Sequence, residues 1–398
     1  MKRILLRKEH QILSILLDQQ QKAAEIGCYE EGGAGIGSIL ICRVKDVVPG
    51  IQAAFVDIGT GVNAYLPIAD LGAHSIFTKK NGKKQIAQGD ELLVQIIREP
   101  MKTKPAAVST KLSISGKYVA VTADGKGAVN VSKKIHDDGF RERVRALLLP
   151  ELDPRFSLVL RTNAFNAETE ELAGEAKRIQ EQMIRICERA MFQTCPTHLY
   201  DSMPEWLVSL RDTRDDTLEE VLTDDAALFE QMNAVSTEVF SEKTALRLYA
   251  DSRLPLLKAY SVERTLKEAL AERVWLKSGG YLVIQPTEAL VAIDVNSGKS
   301  EHKGSTKEAA MKLNLEAARE AARQLRLRNL SGIILIDFVN MADEALQKQL
   351  LQELNVCLKQ DPVYTCLMGM THLELTEITR KKVRKPLYQT GVGVFLSE

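Results

Sequence analysis

No apolar run in this chain approaches the roughly 20 residues needed to cross a bilayer; the longest, such as Ile333–Ile336 and Ile12–Leu17, are far shorter. No membrane span is expected. The N-terminus, MKRILLRKEH, interrupts its apolar residues with cations before a signal-peptide core can form, so the chain reads as cytoplasmic. Cysteines are few and scattered: Cys28, Cys42, Cys187, Cys195, Cys357 and Cys366 include no C-x-x-C pair. That argues against a disulfide framework and a zinc ribbon, and for reduced, largely buried thiols. An excess of one charge is also missing, because Lys plus Arg and Asp plus Glu both number 53. A polyanion would have to be held by local basic patches. No repeat of fixed period is visible, so a solenoid is not supported.

What is present is an ordinary globular composition, 45% hydrophobic and 27% charged over 398 residues. At roughly 100–200 residues per domain this length holds two to four domains. Ile4–Leu6 reads as a strand, and Ile12–Leu17 fits helix or strand. The glycine-rich stretch Gly32-Gly33-Ala34-Gly35 then marks a boundary. From Gly37 to about Lys117, five short β-branched runs separated by turns predict a small barrel. Residues 118–165 read as mixed strand and turn, with YVAVTA, AVNVS and SLVLRT as strands. Leu172, Ala176, Ile179, Met183 and Ile186 share one face of a helix over Glu168–Met191. The acidic stretch 212–225 reads as a surface turn and strand, and Val262–Trp275 as an amphipathic helix. From Gly279 onward the alternation of strand and helix is α/β in character.

The chemistry concentrates there. In ALVAIDVNSGK a buried strand delivers Asp294 at its carboxyl end, and GIILIDF does the same with Asp337. Between them Ser305-Thr306-Lys307-Glu308 has a capping-box pattern. The helix that follows carries Leu313, Ala317, Ala321 and Leu325 on one side. Strand, helix and parallel strand bring both aspartates to one sheet edge, where open α/β sheets bind ligands. Two adjacent carboxylates repel, and a hard divalent cation such as Mg²⁺ or Mn²⁺ compensates. Asn296, two residues beyond Asp294, falls on the same face and can position a water or phosphate oxygen. The alternative is that both aspartates only cap turns at strand ends.

Arg319, Arg323, Arg326 and Arg328 on the helix, and the run Arg380-Lys381-Lys382-Val383-Arg384-Lys385, put cations in the same third of the chain. They point to a phosphate-bearing substrate, or else merely complement a helix dipole. In the barrel, period-two alternation sets Phe55 and Tyr65 on the more polar faces of their strands, near Arg43 and Lys45. That is a pattern for stacking single-stranded nucleic acid, or for rim packing.

Taken together, TEALVAIDVNSGK, NLEAAREAARQLRLRNLSGIILIDFVNM and LTEITRKKVRKPL resemble the ribonuclease E/G family of endoribonucleases over essentially the whole chain. GSILICRVKDVVPGIQAAFVDIGTGVNAYLPIADL is similar to that family's S1-type RNA-binding barrel. The resemblance implies a multidomain α/β architecture. Residues 1–35 and 213–278 would form a ribonuclease-H-like subdomain, 36–118 an inserted S1 (OB-type) barrel, 119–212 a 5′-sensor domain, and 279–398 a DNase I-like catalytic subdomain.

It further implies a Mg²⁺-dependent cut of single-stranded RNA leaving a 5′-phosphate and a 3′-hydroxyl, in RNA processing and decay. Asp294 and Asp337 match the family's metal ligands and Asn296 its catalytic asparagine. Arg161 and Thr162 match the pair that binds a 5′-monophosphate, and Phe55, Tyr65 and Lys104 match S1 residues that contact RNA. Three departures accompany the match. Asn163-Ala164-Phe165-Asn166 replaces small glycine-rich residues after the Arg-Thr pair, Lys133 replaces another basic residue, and Glu374 stands where a glycine is usual. The C-P-x-C motif with which relatives share a zinc ion between protomers does not follow Leu387, so no structural zinc and a monomer or weak homo-oligomer are expected. A non-catalytic S1-type RNA-binding protein and a hydrolase of small phosphoesters are the competing readings.

Overall fold

The structure, a computed structural model, describes residues 1–31, 35–82, 85–100, 105–213, 218–298, 306–341 and 343–396. The chain divides into two compact units, one of Met1–Glu31, Thr217–Ala234 and Lys243–Glu398, the other of Gly32–Asp216 and Val235–Glu242. The architecture is mixed α/β, with four sheets among the described residues.

In the first unit, Lys2–Lys8 pairs antiparallel with Gln11–Leu17, setting Ile4 opposite Ile15. The second of these runs, open to helix or strand in the sequence, is thus a strand, six of its seven residues buried. Ala23–Glu30 extends the sheet on one side, and Glu220–Thr223 and Ala245–Leu248 extend it on the other. Val221, Leu222 and Thr223 are buried, so the strand within the acidic stretch is a core element rather than a surface one; residues 214–217 lie outside those described.

The second sheet of this unit runs in the order Arg273–Trp275, Tyr281–Pro286, Leu290–Asn296, Gly332–Asp337, Leu375–Arg380, Thr365–Met370. Leu290–Asn296 and Gly332–Asp337 are parallel and are joined by the long helix Thr306–Leu327. Ser305, the expected cap, lies outside the described residues. One sheet face buries Ile293, Val295, Ile334 and Ile336 against Ala317, Ala321 and Leu325 of this helix and Leu350 and Leu354 of Glu344–Lys359. Each large aliphatic side chain so buried contributes about 1.5–3 kcal/mol. The opposite face is the more open one: Val283, Ala292 and Leu335 are half-buried and Ile333 is exposed.

The helix expected over Val262–Trp275 ends at Leu270, and Arg273–Trp275 is a strand. The turn at Gly279 and Gly280 folds the chain back and gives Trp275 a cross-strand partner in Tyr281. This cross-strand aromatic pairing over a tight turn overrides the helical pattern there.

In the second unit, Ile39–Val48, Ala53–Asp57, Ala64–Pro67, Ala107–Ser109 and Glu91–Arg98 form the expected five-strand barrel, closed by pairing of its first and last members. Ala54, Val56, Ala64 and Leu66 fill its interior. The remaining sheet joins Ser113–Ser115, Val119–Thr122, Ser157–Leu160 and Val129–Val131. The helix Thr169–Ala190 buries Leu172, Ala176, Ile179, Met183 and Ile186. Asp138–Leu148, read from sequence as strand and turn, is also a helix. Its buried Phe140, Val144 and Leu148 recur every fourth residue, and Asp137 caps it by accepting from the Phe140 N–H at 2.6 Å.

No helix among the described residues is long and apolar enough to cross a membrane. All six cysteines are free thiols; Cys42 and Cys187 are buried and the other four are half-buried.

Candidate active site and nucleic-acid interface

The parallel register places Asp294 directly opposite Asp337. Residues opposite one another on neighbouring strands point to the same face, so the two Cβ atoms stand about 5 Å apart. Both carboxylates are exposed, on the open face of the sheet. Asn296, two residues further along, is on that face too and donates its Nδ2–H to Asp294 Oδ2 at 2.6 Å. Among the described residues no donor reaches the Asn296 Oδ1, which remains an acceptor. No ion pair or hydrogen bond compensates the Asp337 carboxylate among the described residues, and no third acid, histidine or cysteine clusters with the two aspartates there. Two carboxylates without a cation of their own fit Mg²⁺, which is held through one or two carboxylates and keeps several waters.

Two side chains of the connecting helix hold the neighbouring loops, and sequence reasoning passed over both. Asn314 is fully buried. It donates to the Val339 carbonyl at 2.7 Å and accepts from the Val339 N–H at 3.0 Å, pinning the chain two residues past Asp337. Glu316 accepts from the Lys277 N–H at 2.6 Å and the Ser278 N–H at 3.3 Å, fixing the turn before Gly279. That turn packs on the segment after Asn296: a Cβ on Gly298, whose φ is +61°, would lie 2.5 Å from the Gly279 carbonyl oxygen. Only glycine fits there. The signal available in the sequence was Asn314 among the Met, Leu and Ala residues of the buried helix face; Glu316, on a different side of the helix, gave none.

Replacing Asn314 by Ala strands the N–H and C=O of the partly buried Val339. We expect a loss of about 2–3 kcal/mol in stability by urea titration and a fall of about tenfold in kcat from misplacement of Asp337. An unchanged urea midpoint would contradict the positioning role.

The arginines of the helix take no part in an anion site. Arg319 pairs with Glu353 at 2.8 Å and Arg323 with Glu320 at 2.6 Å. Arg326 donates to the Cys357 carbonyl, and Arg328 to Gln324 and the Ala271 carbonyl. The helix packs on the sheet face opposite the aspartates, so these cations are structural. In the terminal run, Arg380 is buried against Asp361 at 2.8 Å and Arg384 bonds to Tyr29, whereas Lys381, Lys382 and Lys385 are exposed.

In the barrel, Phe55 and Tyr65 face each other across neighbouring strands, edge to face with ring centroids 6.3 Å apart. Both are half-buried. The nearby cations are already paired, Arg43 with Glu91 at 2.9 Å and Lys45 with Asp57 at 3.1 Å. Lys104 lies outside the described residues.

Arg161 follows the strand Ser157–Leu160 and donates Nη1–H to the Gly116 carbonyl at 2.8 Å, with its guanidinium clamped on Asp212 at 2.8 Å. Among the described residues its Nε–H has no acceptor and remains for another. Partial burial raises the Asp212 carboxyl, but Arg161 and Arg211 outweigh that and hold it below the usual carboxylate range. A depressed carboxyl keeps its ion pair above the unfolded pKa of about 3.9, so the clamp is intact at neutral pH and is lost as pH falls through the lower folded value. Thr162 Oγ1 lies 3.3 Å from Ser132 Oγ, beside Lys133. Of the three departures, Phe165 packs edge to face on Phe140 with centroids 5.3 Å apart. Glu374 has a left-handed φ of +62°, which is the conformation a glycine adopts at no steric cost.

Compared with known proteins, residues 113–383 match the model of the ribonuclease E/G family. The chain belongs to the ribonuclease E/G family. Residues 35–111 match the S1 RNA binding domain, in agreement with the closed barrel. Among curated members of the family, the chain is 33% identical over 373 residues to Ribonuclease G of Escherichia coli K12, covering 91% of this chain and 76% of that one. It is 32% identical over 363 residues to Ribonuclease G of Haemophilus influenzae, covering 88% and 73% respectively. Ribonuclease E of Synechocystis is 32% identical over 395 residues, 98% of this chain but 58% of that protein.

Proposed function

We propose that this ribonuclease E/G family chain is a Mg²⁺-dependent endoribonuclease that hydrolyses single-stranded RNA to 5′-phosphate and 3′-hydroxyl products, with preference for a 5′-monophosphate. The observation that carries the reading is the register of Asp294 and Asp337, two uncompensated carboxylates side by side with Asn296 on an open sheet face. A bound Mg²⁺ would lower the pKa of a water and offset charge on the phosphodiester.

The protein's own groups do the rest. Asp294 and Asp337 hold the metal. Asn296 is fixed by its bond to Asp294, and its free Oδ1 accepts from the attacking water and orients it. Phe55 and Tyr65 stack bases of the strand, and Lys104 contacts its backbone. Arg161, oriented by Asp212, and Thr162 receive the 5′-terminal phosphate. On this reading the partner is single-stranded RNA and the setting is cytoplasmic.

The test is a labelled single-stranded RNA bearing either a 5′-monophosphate or a 5′-hydroxyl, incubated with Mg²⁺ or with EDTA. Shortening is expected in Mg²⁺ only, faster for the monophosphate. Arg161→Ala should reduce the monophosphate rate to the hydroxyl rate and leave the latter unchanged. Binding without shortening in Mg²⁺ would contradict the enzyme and favour a non-catalytic S1-type RNA-binding protein.

A further inference from the structure

We infer that Trp275, Tyr281 and Arg273 form a nucleobase platform beside Asp294 and Asp337, holding a base of single-stranded RNA one or two nucleotides from the bond that is cut. The inference rests on the endoribonuclease reading above and adds a subsite to it.

The placement follows from the register alone. Trp275 pairs with Tyr281, and Tyr281 pairs with Asn296. One row along, Arg273 pairs with Val283, Val283 with Asp294, and Asp294 with Asp337. Cross-strand partners share a face, so the aromatic pair, the arginine, the asparagine and both carboxylates lie on one side of the sheet. With strands about 4.8 Å apart and about 6.8 Å per two residues, the Tyr281 position is about 8 Å from that of Asp294, and Trp275 about 12 Å. Successive bases of an extended strand fit that spacing.

The side chains are built for stacking. Trp275 is 65% exposed, whereas the chain's other tryptophan, Trp206, is 3% exposed. The Trp275 and Tyr281 rings contact at a centroid distance of 5.2 Å. The Arg273 guanidinium carbon lies 4.5 Å from the Tyr281 ring centre and 5.7 Å from that of Trp275. No carboxylate pairs with Arg273 among the described residues. An exposed indole, a second ring and an unpaired cation in line with a phosphodiester site are complementary to a base and its phosphate. An apolar protein partner would leave the arginine's charge unanswered.

The test uses the full chain in Mg²⁺ and a series of single-stranded RNAs, each carrying one abasic residue at successive positions around the cut. The wild type should cleave more slowly by about 5- to 150-fold when one or two particular positions lack their base. Trp275→Ala should show that loss on intact RNA and no further penalty at those positions, whereas Trp275→Phe keeps most of the rate. Since Trp275 is exposed, thermal unfolding of both variants should match the wild type. An unaltered rate and abasic profile in Trp275→Ala would overturn the platform and leave the nuclease reading standing. If the wild type cuts no RNA, the nuclease reading fails, and the platform is judged by fluorescence: RNA in EDTA should quench the wild type and not Trp275→Phe, and absence of that difference overturns it. Conversion of an oligomer to a monomer by Trp275→Ala, with the abasic profile intact, also overturns it by assigning the face to a second copy.

Discussion

Asp294→Asn is expected to bind single-stranded RNA as the wild type does and to cut it at least about 10³-fold more slowly in Mg²⁺. Losing one of two carboxylate ligands removes a Lewis acid worth several kcal/mol of transition-state stabilisation, and each 1.36 kcal/mol is about tenfold in rate. Asp337→Asn should behave alike, because the two groups occupy equivalent positions in the paired strands. A second readout separates this from damage to the fold. Without metal, two exposed charges about 5 Å apart repel by about 1 kcal/mol in water, so either substitution should slightly raise the melting temperature in EDTA. Mg²⁺ should raise the melting temperature of the wild type and leave that of either variant unmoved. Undiminished cleavage by Asp294→Asn would remove the site assignment.

Phe55→Ala should weaken binding of single-stranded RNA by about 5- to 150-fold, the range for loss of one stacked base. Tyr65→Ala should do the same, and Tyr65→Phe should be nearly silent, since the ring rather than the hydroxyl is used. The double variant should lose less than the sum, because the rings pack edge to face and each holds the other in place. In cleavage the effect should fall on KM and spare kcat. Lys45→Ala makes the informative contrast: its ammonium already pairs with Asp57, so its removal should change affinity little and barely alter the salt dependence. A large effect of Lys45→Ala with none of Phe55→Ala would show that charge, not stacking, holds the strand at this barrel.

Elements whose identity depends on local pattern were legible. The five barrel strands, the strand–helix–strand unit around Asp294 and Asp337, and the helix over Thr169–Ala190 follow from period-two and period-four repeats that a solvent boundary enforces. The strand Arg273–Trp275 was not legible, since its pairing depends on Tyr281 and on a turn that Glu316 holds from a distant helix. The arginines of that helix misled for a related reason. Sequence proximity to Asp294 and Asp337 says nothing about which side of a sheet a side chain occupies, and these arginines lie behind it, paired with Glu320, Glu353, Gln324 and main-chain carbonyls. Asn314 and Glu316 escaped because their work is to hold main-chain groups remote in sequence. The aspartates were found because a charged residue ending an apolar strand is costly to bury and so faces outward.

Diffraction from a crystal of the full chain soaked in MnCl₂, collected at the manganese edge, tests the shared-ion claim most directly. The account predicts one anomalous peak bonded to an oxygen of Asp294 and an oxygen of Asp337, absent from Asp337→Asn crystals treated alike. A peak bound to one of these carboxylates alone, or none with both side chains ordered, would contradict it.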